Sequence, residues 1–147
     1  RFCPPLRAQS DCQALSRAAA NGLAAICSDH TPVGADDKLL PFGDAKPGAT
    51  GLEVLLPLTL KWAAAAGVSL PAALAQITSA PAEILGLASG QLAVGSVADV
   101  CIFDPDATWQ LTPEALKSRG KNSPWTGCMM IAKVKMTLVA GRVVYEG

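Results

Sequence analysis

Leu23-Ala24-Ala25-Ile26-Cys27-Ser28-Asp29-His30-Thr31-Pro32 is the stretch that decides the fold of this chain. Its first six residues are short-range apolar on both faces and follow a helical pattern directly. Such a run predicts a strand of a parallel sheet covered on both sides. One strand cannot make a sheet, and no second strand of this kind follows it. Its neighbours are therefore expected in a missing amino-terminal half of the same protein, or in a copy of it. The absence of a starting Met fits an excised piece.

Working outward, Ser10 and Gln13 predict a capping box for a helix ending at Gly22. Residues 31–49 are broken by Pro and Gly and read as a long irregular loop, with Asp36-Asp37-Lys38 as a solvated turn. Thr50 and Glu53 predict a second capping box, opening a helix to Gly67 that Pro57 could kink. Shorter helices start at Ser69 and Ser79, with Pro71 and Pro81 in their first turns. From residue 89 the character becomes β. Residues 98–103 read as a strand, Asp104-Pro105-Asp106 as a turn, 108–111 as extended and Thr112 as the start of a brief helix. Residues 133–146 read as a hairpin turning at Ala140-Gly141. The chain thus divides at residues 1–88 and 89–147.

Twelve basic and twelve acidic residues cancel, and half of the 147 residues are hydrophobic. That balance gives no basic surface for nucleic acid. The longest apolar stretch is interrupted by Pro57 and Lys61, which argues against a membrane span. The opening residues, Arg1-Phe2-Cys3-Pro4-Pro5, do not read as a signal peptide, and none is expected. The five cysteines, Cys3, Cys12, Cys27, Cys101 and Cys128, form no C-x-x-C pair. They read as small core residues of a cytoplasmic protein. His30 is the single histidine, so this chain cannot build a histidine cluster.

Asp29 is the chief candidate for chemistry. Parallel α/β folds gather reactive groups at the carboxyl ends of strands, where a carboxylate can accept a proton or bind a cation. An Asp after a strand can equally cap backbone amides in a turn. His30 is expected to make a loop hydrogen bond rather than ligate metal. Arg7 could hold an anion or a surface ion partner.

Cys3-Pro4-Pro5-Leu6-Arg7, Asp29-His30-Thr31-Pro32, and Ala45-Lys46-Pro47-Gly48-Ala49-Thr50-Gly51-Leu52-Glu53 resemble the dihydroorotase family in order and spacing. Gly95-Ser96-Val97-Ala98-Asp99-Val100 and the tail from Thr137 to Tyr145 are similar to the β ending of cyclic amidohydrolases. The resemblance implies an α/β fold: the carboxy-terminal part of a (β/α)8 TIM barrel over 1–88, plus the carboxy-terminal half of a composite β-sandwich over 89–147. It implies zinc, held mostly by ligands upstream, with Asp29 as metal ligand and proton shuttle. The implied reaction is reversible hydrolysis of the cyclic amide of dihydroorotate to carbamoyl-aspartate, in pyrimidine biosynthesis.

Three implied substrate-binding positions depart from the family. Cys3 stands for an Asn, Val33 for a second His, and Pro47-Gly48 for a Phe-Gly pair whose backbone contacts substrate. Lost polar contacts cost roughly 1.5–3 kcal/mol each when charged groups are involved. The resemblance therefore admits two outcomes: an enzyme, or a catalytically impaired relative that scaffolds aspartate transcarbamoylase. Allantoinases and hydantoinases share the architecture and rank behind.

Overall fold

The computed structural model describes residues 1–2 and 5–147. In chain order the elements are α1 (Gln9–Ala20), α2 (Ala35–Leu39), a 3-10 turn (Leu52–Val54), α3 (Leu55–Ala66), α4 (Leu70–Ala75), α5 (Ser79–Ile84), β1 (Val100–Gln110), β2 (Met129–Val139) and β3 (Arg142–Glu146). The three strands form one antiparallel sheet in the order β1-β2-β3.

Segment 23–28 forms no strand. Ile26 N–H reaches the Gln76 carbonyl at 2.9 Å, and a single parallel bridge joins His30 to Ala49. Leu23 is 80% exposed. A strand becomes regular only when neighbours accept its backbone bonds, and this segment lacks a ladder on either side.

The helices stand because each satisfies its own backbone. Helix α1 begins one residue before the expected capping box. Asp11, not the Ser10–Gln13 pair, supplies the cap, its Oδ2 accepting the Ala8 N–H at 3.2 Å. Helix α3 ends at Gly67 in the left-handed region (φ 68°), as the glycine stop predicts. Its Pro57 sits in the first turn, so no internal hydrogen bond is lost and no kink is needed. The Thr50–Glu53 capping box is absent; both side chains are spent on a distant loop, described below. Asp36-Asp37-Lys38 lies in α2 rather than in a turn. Residues 113–115 make a turn, not a helix.

The expected turn at 104–106 is a bulge within one long strand. The Asp104 carboxylate accepts the N–H groups of Asp106 and Ala107 at 3.1 and 3.2 Å, so β1 absorbs extra residues and resumes pairing at Thr108. The β2–β3 hairpin matches expectation. Ala140 (φ 49°) and Gly141 (φ 77°) both take positive φ, as a tight two-residue turn demands. Asp99 holds that turn by accepting the Ala140 N–H at 2.8 Å.

Two buried clusters hold the chain together. Val54, Leu111, Leu116 and Met130 form one, flanked by Leu58, Trp109 and Trp125. Leu60, Ala63, Ala73 and Ala132 form the other, flanked by Trp62, Phe103 and Ile131. Each draws residues from both sides of residue 89, because α3 lies on β2 and on the loop after β1. Full burial of a Leu or Val side chain is worth about 1.5–3 kcal/mol, so this seam dominates packing. The cysteines Cys12, Cys27, Cys101 and Cys128 are exposed free thiols rather than core residues. Large side chains elsewhere, such as Leu6, Leu15, Phe42 and Leu92, are also exposed. Among the described residues no helix is long and apolar enough to cross a membrane.

Candidate functional site

The segment after Ser28 is pinned against residues 48–52 by close backbone approach. The Thr31 N–H donates to the Ala49 carbonyl at 2.9 Å, beside the His30–Ala49 bridge. Two glycines allow the approach. A Cβ on Gly51 would lie 2.2 Å from the Ser28 carbonyl oxygen, and one on Gly48 would lie 2.5 Å from that of Thr31. Gly48 also takes φ 132°, where a side chain is strained. Glycine in this motif therefore serves packing of backbone on backbone, not phosphate binding.

His30 completes the attachment. Its Nδ1 accepts the Gly51 N–H at 3.2 Å and the Leu52 N–H at 3.1 Å. Those amides open the 3-10 turn leading into α3 and have no carbonyl partner within the helix. Because Nδ1 accepts, the ring proton sits on Nε2. The expected loop hydrogen bond of His30 is thus present, in the form of a helix cap.

Residues 48–53 are in turn tied to the loop between β1 and β2. Glu53 accepts the Lys117 and Ser118 N–H groups at 2.7 and 2.8 Å, one on each carboxylate oxygen. The Thr50 hydroxyl donates to the Gly120 carbonyl, and the Thr50 N–H to that of Asn122 at 2.7 Å. Asn122 Nδ2 donates to the Gly48 carbonyl at 3.0 Å. Lys38 Nζ reaches the same carbonyl at 2.8 Å and that of Lys46 at 2.7 Å, which organises the loop before the motif. An exposed Lys46–Asp37 ion pair at 3.1 Å adds little.

Asp29 lies between two clamped residues. It is exposed, and its backbone takes φ 42°, a left-handed conformation that Asp tolerates better than most side chains. Of the other positions singled out in the sequence, Gly48 lies beside Thr31 and Pro47 is exposed. Val33 is 8% exposed, and its backbone nitrogen, with Pro32, lies close to Gly120. Cys3 lies outside the described residues. Arg7 is exposed.

Zinc needs a full set of nitrogen, sulfur or oxygen donors. Among the described residues no three His, Cys, Asp or Glu side chains converge to hold a metal. Asp29 fits as one oxygen donor of such a set; His30 has its Nδ1 committed to backbone amides. An open groove of about 820 Å³ runs between α1, segment 24–28 and α3, lined by Leu15, Ile26, Leu58 and Trp62. Among the described residues the Thr59 hydroxyl on that groove is buried without a partner. The sequence did not disclose the roles of Glu53, Thr50, Lys38 or Asp99. Their partners lie far along the chain, and only the fused tertiary arrangement reveals them.

A family model described as Amidohydrolase family matches residues 5–145. A dihydroorotase-like protein of Pseudomonas aeruginosa is 42% identical over 145 residues, covering 98% of this chain and 34% of that protein. A dihydroorotase of Trichlorobacter lovleyi is 38% identical over the same coverage. Among solved structures, the L-hydantoinase (dihydropyrimidinase) of Arthrobacter aurescens superposes with a TM-score of 0.87 at 32% identity, covering 99% of this chain and 34% of that one. The chain therefore spans about a third of the length of the relatives it matches.

Proposed function

From its place in the amidohydrolase family, to which this chain belongs, we propose that it is the carboxy-terminal third of a zinc-dependent cyclic amide hydrolase. The remaining barrel strands and metal ligands would come from a preceding part of the same protein, or from a copy of it. The proposed reaction is reversible hydrolysis of the cyclic amide of dihydroorotate to carbamoyl-aspartate. Likeness to proteins named dihydroorotase supports the substrate, and likeness to hydantoinases keeps other cyclic amides in view.

The observation that carries the proposal is the clamp around Asp29. Residues 28, 30 and 31 are held against 48–52, and the acid between them is exposed. This arrangement supports the reading of Asp29 as a metal ligand and proton carrier, the role that carboxylates take at the ends of barrel strands. Zinc, when bound, supplies the acidity that makes water a nucleophile near neutral pH. Asp29 takes the proton of the attacking water and returns it to the ring nitrogen as the C–N bond breaks. In the reverse direction it removes that proton from the carbamoyl nitrogen.

The test is a pair of assays on the full-length protein: cyclisation of carbamoyl-aspartate and hydrolysis of dihydroorotate, with a hydantoin in parallel. Turnover of dihydroorotate that Asp29→Asn abolishes is the expected result. Turnover of the hydantoin alone would move the substrate to the hydantoinase class. A second reading rests on Val33, which is buried, and Pro47, which has no N–H to offer. These positions suit a silent member that scaffolds aspartate transcarbamoylase. No turnover on any of these cyclic amides, together with co-purification of that enzyme, would select it.

A further inference from the structure

We infer that His30 is a positioning residue: by capping the amides of Gly51 and Leu52 through Nδ1 it fixes the backbone on which Asp29 is presented. This rests on the proposed role of Asp29 for its functional consequence, and on geometry alone for its structural one.

Asp29 holds φ 42°, an uncommon conformation for a residue with a side chain. Such a conformation persists only where its surroundings over-determine it. The surroundings here are Ser28, whose carbonyl lies against Gly51, and Thr31, whose N–H bonds to Ala49 at 2.9 Å. Between them stands His30, bonded through one ring nitrogen to two consecutive amides at 3.2 and 3.1 Å. Those are the contacts immediately following Asp29 in the chain. Without them the residue can relax towards extended backbone and swing its carboxylate elsewhere. Through Nδ1 the imidazole thus acts by way of the acid beside it.

The acceptor atom makes the inference testable by isosteres. An Asn side chain places Oδ1 where imidazole has Nδ1, whereas Gln places its oxygen nearer the position of Nε2. In the full-length protein we expect His30→Asn to keep the cap, and His30→Gln and His30→Ala to lose it. One readout is hydrogen exchange of the Gly51 and Leu52 amides. It should quicken by about five-fold in the Gln and Ala variants, the effect of losing a typical helix cap, and stay near wild type in the Asn variant. The second readout is zinc content, which should fall in the same two variants and be retained with Asn. If Gln rescues and Asn does not, the operative atom is Nε2 and the inference is overturned. It is equally overturned if all three variants exchange alike, whether at the wild-type rate or faster. A wild-type protein without zinc would remove the proposed function, yet the exchange pattern would still decide the role of His30.

Discussion

Helix α3 and segment 23–28 are both apolar runs, and they fare differently. The helix satisfies its own backbone and lays Leu60 and Ala63, 7% and 3% exposed, against β2 and α4. The segment forms no strand, leaves Leu23 80% exposed and bonds its Ile26 N–H to the Gln76 carbonyl. A helix needs a partner only for its side chains, whereas a strand needs one for its backbone as well. The seam between α3 and the sheet is therefore complete within the chain, while segment 23–28 forms no ladder among the described residues.

The sharpest break of this contrast is at the junction of the two regions. Gly51→Ala places a methyl carbon 2.2 Å from the Ser28 carbonyl, where both sides are backbone and neither can yield cheaply. Destabilisation of about 3 kcal/mol, the upper part of the range for overpacking, is expected in urea unfolding of the full-length protein. A loss below about 0.5 kcal/mol would mean that the strand end is not pinned there.

Leu111→Ala and Leu23→Ala sharpen the comparison directly. Leu111 is fully buried, so its truncation should cost about 2–5 kcal/mol in this chain alone and in the full-length protein. Leu23→Ala should change this chain by no more than about 0.5 kcal/mol, as at an exposed site. In the full-length protein it should approach the cost of a core Leu. Equal and small effects in both settings would show that segment 23–28 never acquires cover.

Glu53→Gln reaches the tie between the motif and the β1–β2 loop. Gln can accept one of the two amides and turns an NH2 group towards the other, so about 1–3 kcal/mol should be lost. Faster hydrogen exchange at Lys117 and Ser118, with little change in β3, would localise the effect.

The smallest effect concerns Cys101. Although the residue is exposed, partial burial pushes its thiol up, and a hydrogen bond with Thr137 pulls it partly back. Its thiolate is thus disfavoured, and iodoacetamide should label it more slowly than Cys12 or Cys27 at mildly alkaline pH. Because the folded value is raised, the linked stability is full below the ordinary thiol range and declines as pH rises through it. Labelling at an equal rate would contradict this.

Sequence patterns were most legible where structure is local. The hairpin announces itself through alternation and the Ala140-Gly141 turn, and Gly67 ends α3 as a helix-stop glycine should. Patterns misled where a local signature serves a distant partner. Thr50 and Glu53 spell a capping box, but Thr50 bonds to the Gly120 carbonyl and Glu53 to the amides of Lys117 and Ser118. Asp104-Pro105-Asp106 spells a turn, yet the Asp104 carboxylate stands in for missing ladder bonds and the strand continues. The apolar run 23–28 spells a strand, yet within this chain it forms none, because a strand is fixed by partners for its backbone and the sequence pattern does not reveal them.

Anomalous diffraction at the zinc edge, on crystals of the full-length protein, tests the central claim most directly. A zinc peak should stand about 2.0–2.2 Å from an Asp29 carboxylate oxygen, with segment 23–28 hydrogen-bonded on both sides. A zinc site remote from Asp29, or a fully formed barrel with this carboxylate pointing into bulk water, would contradict it.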